Sequence, residues 1–176
     1  MSHPEQVAAH IQDSQNLYAD IVGNTLPAVS IVKPSGYVDG HPSSSKLDLF
    51  EGFVKKIVDQ VQASPYASDT AIFITFDEGG GYYDSGYVQP VDFFGDGTRI
   101  PLIVVSAYNK PGHISHEYTD HVSILKFIER NWGLEPVTWR SRDNFPNPVT
   151  RDDNPYVPVN SPALGDLFDL FDFPAH

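Results

Sequence analysis

The chain has 176 residues, enough for one domain with a substantial core and too few for two domains of ordinary size. Hydrophobic residues make up 40% of the sequence and aromatic residues 12%, which excludes a disordered chain. The net charge of −12 argues against nucleic acid as a partner, because binding to phosphate backbones requires clustered Lys and Arg.

The sequence also excludes several kinds of chemistry and attachment. It contains no cysteine, so disulfides, thiolate zinc ligands and cysteine nucleophiles are excluded. No apolar run approaches the roughly 20 residues of a membrane-spanning helix, and no transmembrane segment is expected. The first fifteen residues lack the basic and apolar regions of a secretory leader, so no signal peptide is predicted in this chain.

Hydrophobic spacing predicts three helices and three strands, followed by a coil-rich tail. The predicted elements, in chain order, are a helix over residues 4–21, a strand over 27–32, a helix over 47–61 with a serine N-cap, a strand over 71–76, a strand over 100–105, a helix over 119–132 ended by Gly133, and a tail over 135–176. Between the second and third strands, residues 79–97 form a loop rich in glycine and aromatic residues.

Strands that alternate with helices predict an α/β fold with parallel strands. The run over residues 100–105 is almost continuously apolar, which is typical of a strand buried on both faces. Three strands alone would leave both edges of the sheet bare, so we expect part of a larger sheet. We interpret residues 1–176 as a single domain, with the tail of residues 135–176 packed on it.

The most informative motif is AIFITFDEGGGYYD over residues 71–84. A strand pattern ends in Asp77 and Glu78, and three glycines, residues 79–81, follow at once. Ligands of open α/β sheets bind at the carboxyl ends of the strands. Adjacent carboxylates beside a backbone without Cβ atoms suit a hard cation or a phosphate that must approach closely. The alternative is that both acids are solvated loop residues.

The ordered series of motifs resembles the C-terminal half of the phosphoesterase family that contains bacterial phospholipases C and acid phosphatases, within the alkaline phosphatase superfamily. The matching segments are LPAVSIVKP (26–34), GHP (40–42), FVKKIVDQV (53–61), ITFDEGGGYYD (74–84), GTRIPLIVVSAY (97–108), YTDHVSILKFIERNWGL (118–134) and LFDLFDF (167–173). Many family members have His directly after the acidic pair, where this chain has Gly79.

The resemblance implies a fold, a reaction and a set of site residues. The fold would be part of a three-layer α/β/α alkaline-phosphatase-like sandwich with a mostly parallel sheet. The reaction would be metal-dependent hydrolysis of a phosphoric ester, with Asp77 and Glu78 as ligands of a divalent metal. The family's Ser or Thr nucleophile and a Glu-Asn metal-binding pair lie in an N-terminal half that has no counterpart here. We therefore expect a fragment that is inactive alone, whose parent is exported and whose partner is that N-terminal half.

Two histidines complete the predicted site. His121 follows Asp120 at the start of a predicted helix, where free N–H groups attract an anion. The alternative is a capping Asp followed by a surface His. His41 lies in a loop that Pro42 restrains, and the resemblance implies an active-site His at this position. The alternative there is an exposed loop residue.

Several charged and aromatic residues are assigned other roles. Arg99 is expected to be structural and to pair with a loop acid, whereas Asp92 and Asp96 are expected to face water. The aromatic residues of the 79–97 loop either wall a substrate cleft or anchor the loop on the core. The rival functional class is a non-catalytic remnant that acts as a binding or interaction module.

Overall fold

The computed structural model describes residues 3–84 and 86–174. The α-helices are α1 (Pro4–His10), α2 (Ser14–Gly23), α3 (Leu47–Gln62) and α4 (Val122–Trp132), the strands are β1 (Ala71–Thr75) and β2 (Leu102–Ser106), and the short 3₁₀ turns are Pro65–Ser68, Arg142–Asn144 and Phe168–Leu170. The fold is therefore mixed α/β, as predicted. No helix within the described residues has the length and apolar character needed to cross a bilayer.

The helices follow the sequence pattern closely, with differences at their ends. The predicted helix over residues 4–21 is divided into α1 and α2, and the side chain of Asp13 caps α2 by accepting from the Gln15 amide. The predicted serine cap of α3 is wrong, because Lys46 occupies the N-cap position and makes no side-chain capping bond. Gly133 ends α4 in the left-handed conformation, with φ of 63°.

The strand prediction over residues 27–32 is wrong, since these residues form coil. Ile31 is 96% exposed, so the apolar run that suggested a strand does not mark a buried element. The prediction that β2 is buried on both faces is also wrong, because Ile103 is 57% exposed.

The two strands pair with each other in an antiparallel sense, where parallel pairing was predicted. The hydroxyl of Thr75, at the end of β1, donates to the carbonyl of Pro101 just before β2, at 2.9 Å. The described residues between positions 76 and 101 contain no helix, so the connection lacks the crossover that parallel neighbours require. Within the described residues the sheet has only these two strands. These residues alone therefore do not form the three-layer sandwich that the resemblance implies.

The described residues form two compact units. Unit 1 comprises residues 3–72 and Val105–Ala107, and unit 2 comprises Phe73–Val104 and residues 108–174. In unit 1, Ile21 of α2 and Val61 of α3 are buried. The Lys56 ammonium of α3 also lies 3.7 Å from the ring centroid of Tyr18 on α2, in cation–π contact.

The core of unit 2 is aromatic. Phe127 of α4 contacts Phe73 of β1 and Phe171 of the tail, with ring centroids 4.9 and 5.0 Å apart. Phe171 stacks in turn on Phe173. The tail over residues 135–176 was predicted to be coil-rich, and its described residues contain only short 3₁₀ turns. These contacts pack its end against α4.

Helix α4 also buries a pair of carboxyl groups. Glu129 is 6% exposed and Asp143 is 5% exposed, and their side chains are hydrogen bonded to each other. Burial is the largest cause that raises the pKa of Glu129, and this bond and the charge of Asp143 raise it further, to about 7. Asp143 Oδ2 accepts from the Val137 amide at 2.6 Å, and Oδ1 has no hydrogen-bond partner among the described residues. A bond between the two acids requires a proton on one of them, because ionised carboxylates only accept.

The pair predicts a pH dependence of stability. The folded state binds this proton more tightly than the unfolded state, in which an ordinary glutamate has a pKa of about 4.5. The stabilisation is complete below that value and is lost as the pH rises through 7. Glu129→Gln keeps a donor for Asp143 but does not titrate. We expect the free energy of unfolding of this variant, relative to the unsubstituted chain, to rise by roughly 1–3 kcal/mol between pH 5 and pH 8.

Urea denaturation across this pH range measures the effect. Glu135→Gln, at an exposed glutamate just beyond α4, serves as the matched control and should show no such trend. Parallel pH profiles for Glu129→Gln and the unsubstituted chain would contradict the carboxyl pair.

Candidate functional site

The acidic pair follows β1 directly and faces solvent. Asp77 and Glu78 are both exposed, and Glu78 Oε2 accepts from the Gly80 amide at 2.7 Å. Gly80 and Gly81 have φ of 62° and 75°, a conformation that favours glycine. The chain therefore turns sharply after the strand and holds the Glu78 carboxylate close to the turn.

Gly79 has a steric reason to be glycine in this fold. A Cβ atom built at residue 79 would overlap the hydroxyl oxygen of Thr98. Many family members were expected to carry His at this position, and this chain has no room for that side chain while Thr98 stays in place.

His121 lies beside the strand end that carries the acidic pair. Its Nε2 is 2.8 Å from the carbonyl oxygen of Phe76, the residue before Asp77. Because a carbonyl only accepts, Nε2 donates and carries a proton. In the neutral ring, Nδ1 is then the atom with a free lone pair. The structure thus places the His121 ring against the backbone of Phe76, the residue before the acidic pair, although the two residues are 45 positions apart in sequence.

The position of His121 is fixed by capping bonds at the start of α4. Asp120 Oδ1 accepts from the Val122 amide at 2.7 Å, and the Asp120 amide donates to Ser123 Oγ at 3.2 Å. Ser123 is fully buried. The expected capping role of Asp120 is confirmed, and His121 projects from this capped turn with its side chain exposed.

His41 belongs to unit 1 and is described within it. Its amide donates to Asp39 Oδ1 at 2.9 Å, and its Nδ1 accepts from the Ser43 amide at 3.2 Å and lies 3.0 Å from Ser43 Oγ. A neutral imidazole that accepts at Nδ1 carries its proton on Nε2. His41 is exposed, and a shallow hollow of about 340 Å³ opens beside it, lined by residues 42–46 with Asp48 and Leu49.

Carboxylate oxygens are suitable ligands for a hard cation, but Asp77 and Glu78 supply only two carboxylate groups. Within residues 3–84 and 86–174, no group of three or more His, Asp or Glu side chains is arranged to hold a metal ion. Mg²⁺ takes six oxygen ligands and Ca²⁺ six to eight. Asp77 and Glu78 would therefore supply only part of the ligand set of such an ion.

The loop after the acidic pair is closed by an ion pair. Asp84 accepts from the Arg99 amide at 2.8 Å, from the Arg99 Nε at 2.7 Å and from the Gly86 amide at 2.8 Å. These three hydrogen bonds lower the pKa of Asp84 to about 2. The structural role expected for Arg99 is confirmed, and its partner is Asp84.

A profile of the phosphoesterase family matches residues 2–135, which is more than half of the chain. The chain belongs to the phosphoesterase family. The matched region contains Asp77, Glu78, His41 and His121, so all four predicted site residues lie in the part that carries the family likeness.

The relatives of this phosphoesterase chain include several bacterial phospholipases. It is 32% identical to the hemolytic phospholipase C of Pseudomonas aeruginosa over 89% of the chain and 22% of that protein. It is 30% identical to the non-hemolytic phospholipase C of Burkholderia pseudomallei over 64% of the chain and 20% of that protein. It is 29% identical to phospholipase C B of Mycobacterium tuberculosis over 69% of the chain and 29% of that protein. The chain thus spans less than a third of the length of these relatives.

The sequence interpretation missed one interaction near the candidate site. Asp92 and Asp96 bind the guanidinium of Arg142 at 2.7 and 3.2 Å. Asp92 is exposed as predicted, whereas the Asp96 side chain is only 15% exposed. Arg142 lies in the coil-rich tail, about 50 residues from Asp92, and beyond the residues that the family profile matches. The spacing of residues within one segment cannot indicate an ion pair between residues so far apart in the sequence.

Three aromatic side chains of the loop are exposed and do not pack on the core. Tyr83, Phe93 and Phe94 are 91%, 95% and 89% exposed, and the two phenylalanine rings contact each other edge to face. The expectation that loop aromatics anchor the loop is wrong for these three residues.

The Asp84–Arg99 contact gives a test of the loop geometry. Asp84→Asn removes the charge and one of the two acceptor oxygens. We expect the Gly86 and Arg99 amides to exchange with deuterium about tenfold faster, because each loses a charge-assisted hydrogen bond. Amide exchange followed by NMR at neutral pH measures this. Asp152→Asn, at an exposed loop residue, is the control and should leave both amides unchanged. Equal protection in the two variants would argue against the ion pair.

Proposed function

We propose that this chain forms part of a metal-dependent hydrolase of phosphoric esters, of the phospholipase C or acid phosphatase type. Asp77 and Glu78 hold a divalent metal ion, and His41 and His121 contact the phosphate or its leaving group. The observation that supports the proposal is the hydrogen bond from His121 to Phe76 O, the carbonyl of the residue before Asp77, in a member of the phosphoesterase family.

The exposed position of the acidic pair supports a role as metal ligands. Phosphoester cleavage needs positive charge close to the phosphoryl oxygens, and a divalent metal held by carboxylates supplies it. The chain has 11 Lys and Arg against 23 Asp and Glu, so its side chains offer little other positive charge for an anionic substrate. The left-handed turn at Gly80 and Gly81 allows the backbone to approach a ligand closely.

The hydrogen bonds of the two histidines suit them to different tasks. His41 accepts at Nδ1, so its Nε2–H is the group available to donate to a phosphoryl or leaving-group oxygen. His121 donates through Nε2 to Phe76 O, so its Nδ1 is available to accept a proton or to ligate. We assign the donor role to His41 and the acceptor role to His121.

The proposal treats the chain as one portion of a larger catalytic fold. The nucleophile, the remaining metal ligands and further strands of the alkaline-phosphatase-like sandwich would come from an N-terminal half. The substrate of the complete enzyme is a phospholipid, a nucleotide or a small phosphomonoester, and the relatives named as phospholipases C favour the first.

A titration of the isolated chain tests the metal ligands. We expect Mn²⁺ to bind with a dissociation constant on the order of 10⁻⁴–10⁻³ M, because only two carboxylates contribute. Asp77→Asn and Glu78→Gln should each weaken binding at least about tenfold. Glu51→Gln, at an exposed acid of α3, is the matched control and should bind as the unsubstituted chain does. Binding that survives both substitutions would overturn the assignment of the ligands.

An activity assay of the same protein tests the fragment proposal. We expect no turnover of p-nitrophenyl phosphate or p-nitrophenyl phosphorylcholine with Mg²⁺, Mn²⁺, Ca²⁺ or Zn²⁺. Metal-dependent turnover that is lost in Glu78→Gln would show that the isolated chain holds a complete active site. Metal binding without turnover, even after addition of an N-terminal half from a relative, would favour the non-catalytic binding module.

A further inference from the structure

Arg142 uses every N–H group of its guanidinium. Nε and Nη2 donate to the two oxygens of Asp92 at 2.7 and 2.9 Å, and Nη2 also donates to Gly95 O at 2.5 Å. Nη1 donates to Asp120 Oδ2 at 2.9 Å and to Asp96 Oδ1 at 3.2 Å. The five donors of the guanidinium thus meet five acceptors on two segments of unit 2.

The arrangement depends on charge balance. Three carboxylates surround one cation, and their side chains are only 11–31% exposed, so water screens their mutual repulsion weakly. The hydrogen bond from Arg142 lowers the pKa of Asp92, and the bond to Asp92 raises the pKa of Arg142. Asp96 has a further donor in the Tyr118 hydroxyl at 2.9 Å. Without Arg142, three like charges would face one another.

One of these carboxylates leads directly to the candidate site. Asp120 uses Oδ2 to accept from Arg142 and Oδ1 to cap the Val122 amide. His121 lies between Asp120 and Val122 in the sequence, and its Nε2 donates to Phe76 O. The guanidinium therefore fixes the side chain that holds the turn from which His121 projects.

We propose that Arg142 is a positioning residue for His121, which it holds against the Phe76 carbonyl through Asp120. The role of His121 in the site rests on the proposed function, whereas the link between Arg142 and His121 does not. Arg142 lies outside residues 2–135, so the family match does not assign it this role.

The test follows the proton on His121 Nε2 by NMR. A ring N–H bonded to a carbonyl exchanges slowly enough with water to be observed, and His121→Asn identifies its resonance among the seven histidines. In Arg142→Gln, which keeps some hydrogen bonding but no charge, we expect this resonance to be lost. In Arg142→Lys, which keeps the charge, we expect it to be weakened and not lost. Arg140→Gln, at an exposed arginine beside Trp139, is the control and should leave it unchanged.

A second variant covers the case in which Arg142→Gln does not fold. Asp120→Asn keeps an acceptor for the Val122 amide, and Arg142 keeps Asp92 and Asp96 as partners. We expect the His121 resonance to lose at least half of its intensity in this variant, at a temperature well below its melting point. A purely structural clamp would lower the melting temperature and leave the resonance of the folded variants intact. Retention of full intensity in every folded variant would overturn the proposal.

Calorimetry with Mn²⁺ on the same variants separates this inference from the proposed function. If the unsubstituted chain binds no metal, the metal site of the proposed function fails, and the His121 resonance still decides the role of Arg142. If metal binds and the resonance persists in Arg142→Gln and Asp120→Asn, the positioning role fails and the metal site stands.

Discussion

The buried ammonium of Lys126 is the interaction on which the architecture of unit 2 depends. Its Nζ donates to Phe145 O at 2.7 Å, to Asn147 Oδ1 at 3.0 Å and to Leu164 O at 2.5 Å. A buried charge is very unfavourable unless its donors are satisfied, so these acceptors are tied to α4. Burial also lowers the pKa of Lys126. Since no long helix or strand follows α4 among the described residues, this polar anchor gives the tail a defined path.

Residues near both ends of helix α4 therefore hold the segments that surround the candidate site. At its start, Asp120 and Ser123 form the capped turn that carries His121. Near its end, Arg130 pairs with Asp166 at 2.6 Å, an acid that is 6% exposed. The tail is thus bound at several points along one helix, and Arg142 reaches the loop acids from that tail. The geometry at the acidic pair depends on residues far from it in sequence.

The sequence predicted elements whose signal is local and failed where the answer depends on distant partners. Helices α3 and α4 were predictable because their apolar residues follow the helical period, and β1 and β2 lie within two residues of their predicted bounds. The antiparallel pairing was missed because the loop after β1 has no helix to make a crossover, which its composition did not reveal. A role for His121 in the site was implied by the family resemblance, and the contacts of Arg142 had no sequence signal at all.

The close approach of Gly79 and Thr98 constrains how this loop can evolve. A larger residue at position 79 must displace a threonine side chain, so the two positions are coupled and their substitutions are not independent. A lineage that gains a side chain at position 79 must first, or at the same time, rotate or shorten the Thr98 side chain. The hydroxyl oxygen of Thr98 is the atom that must give way.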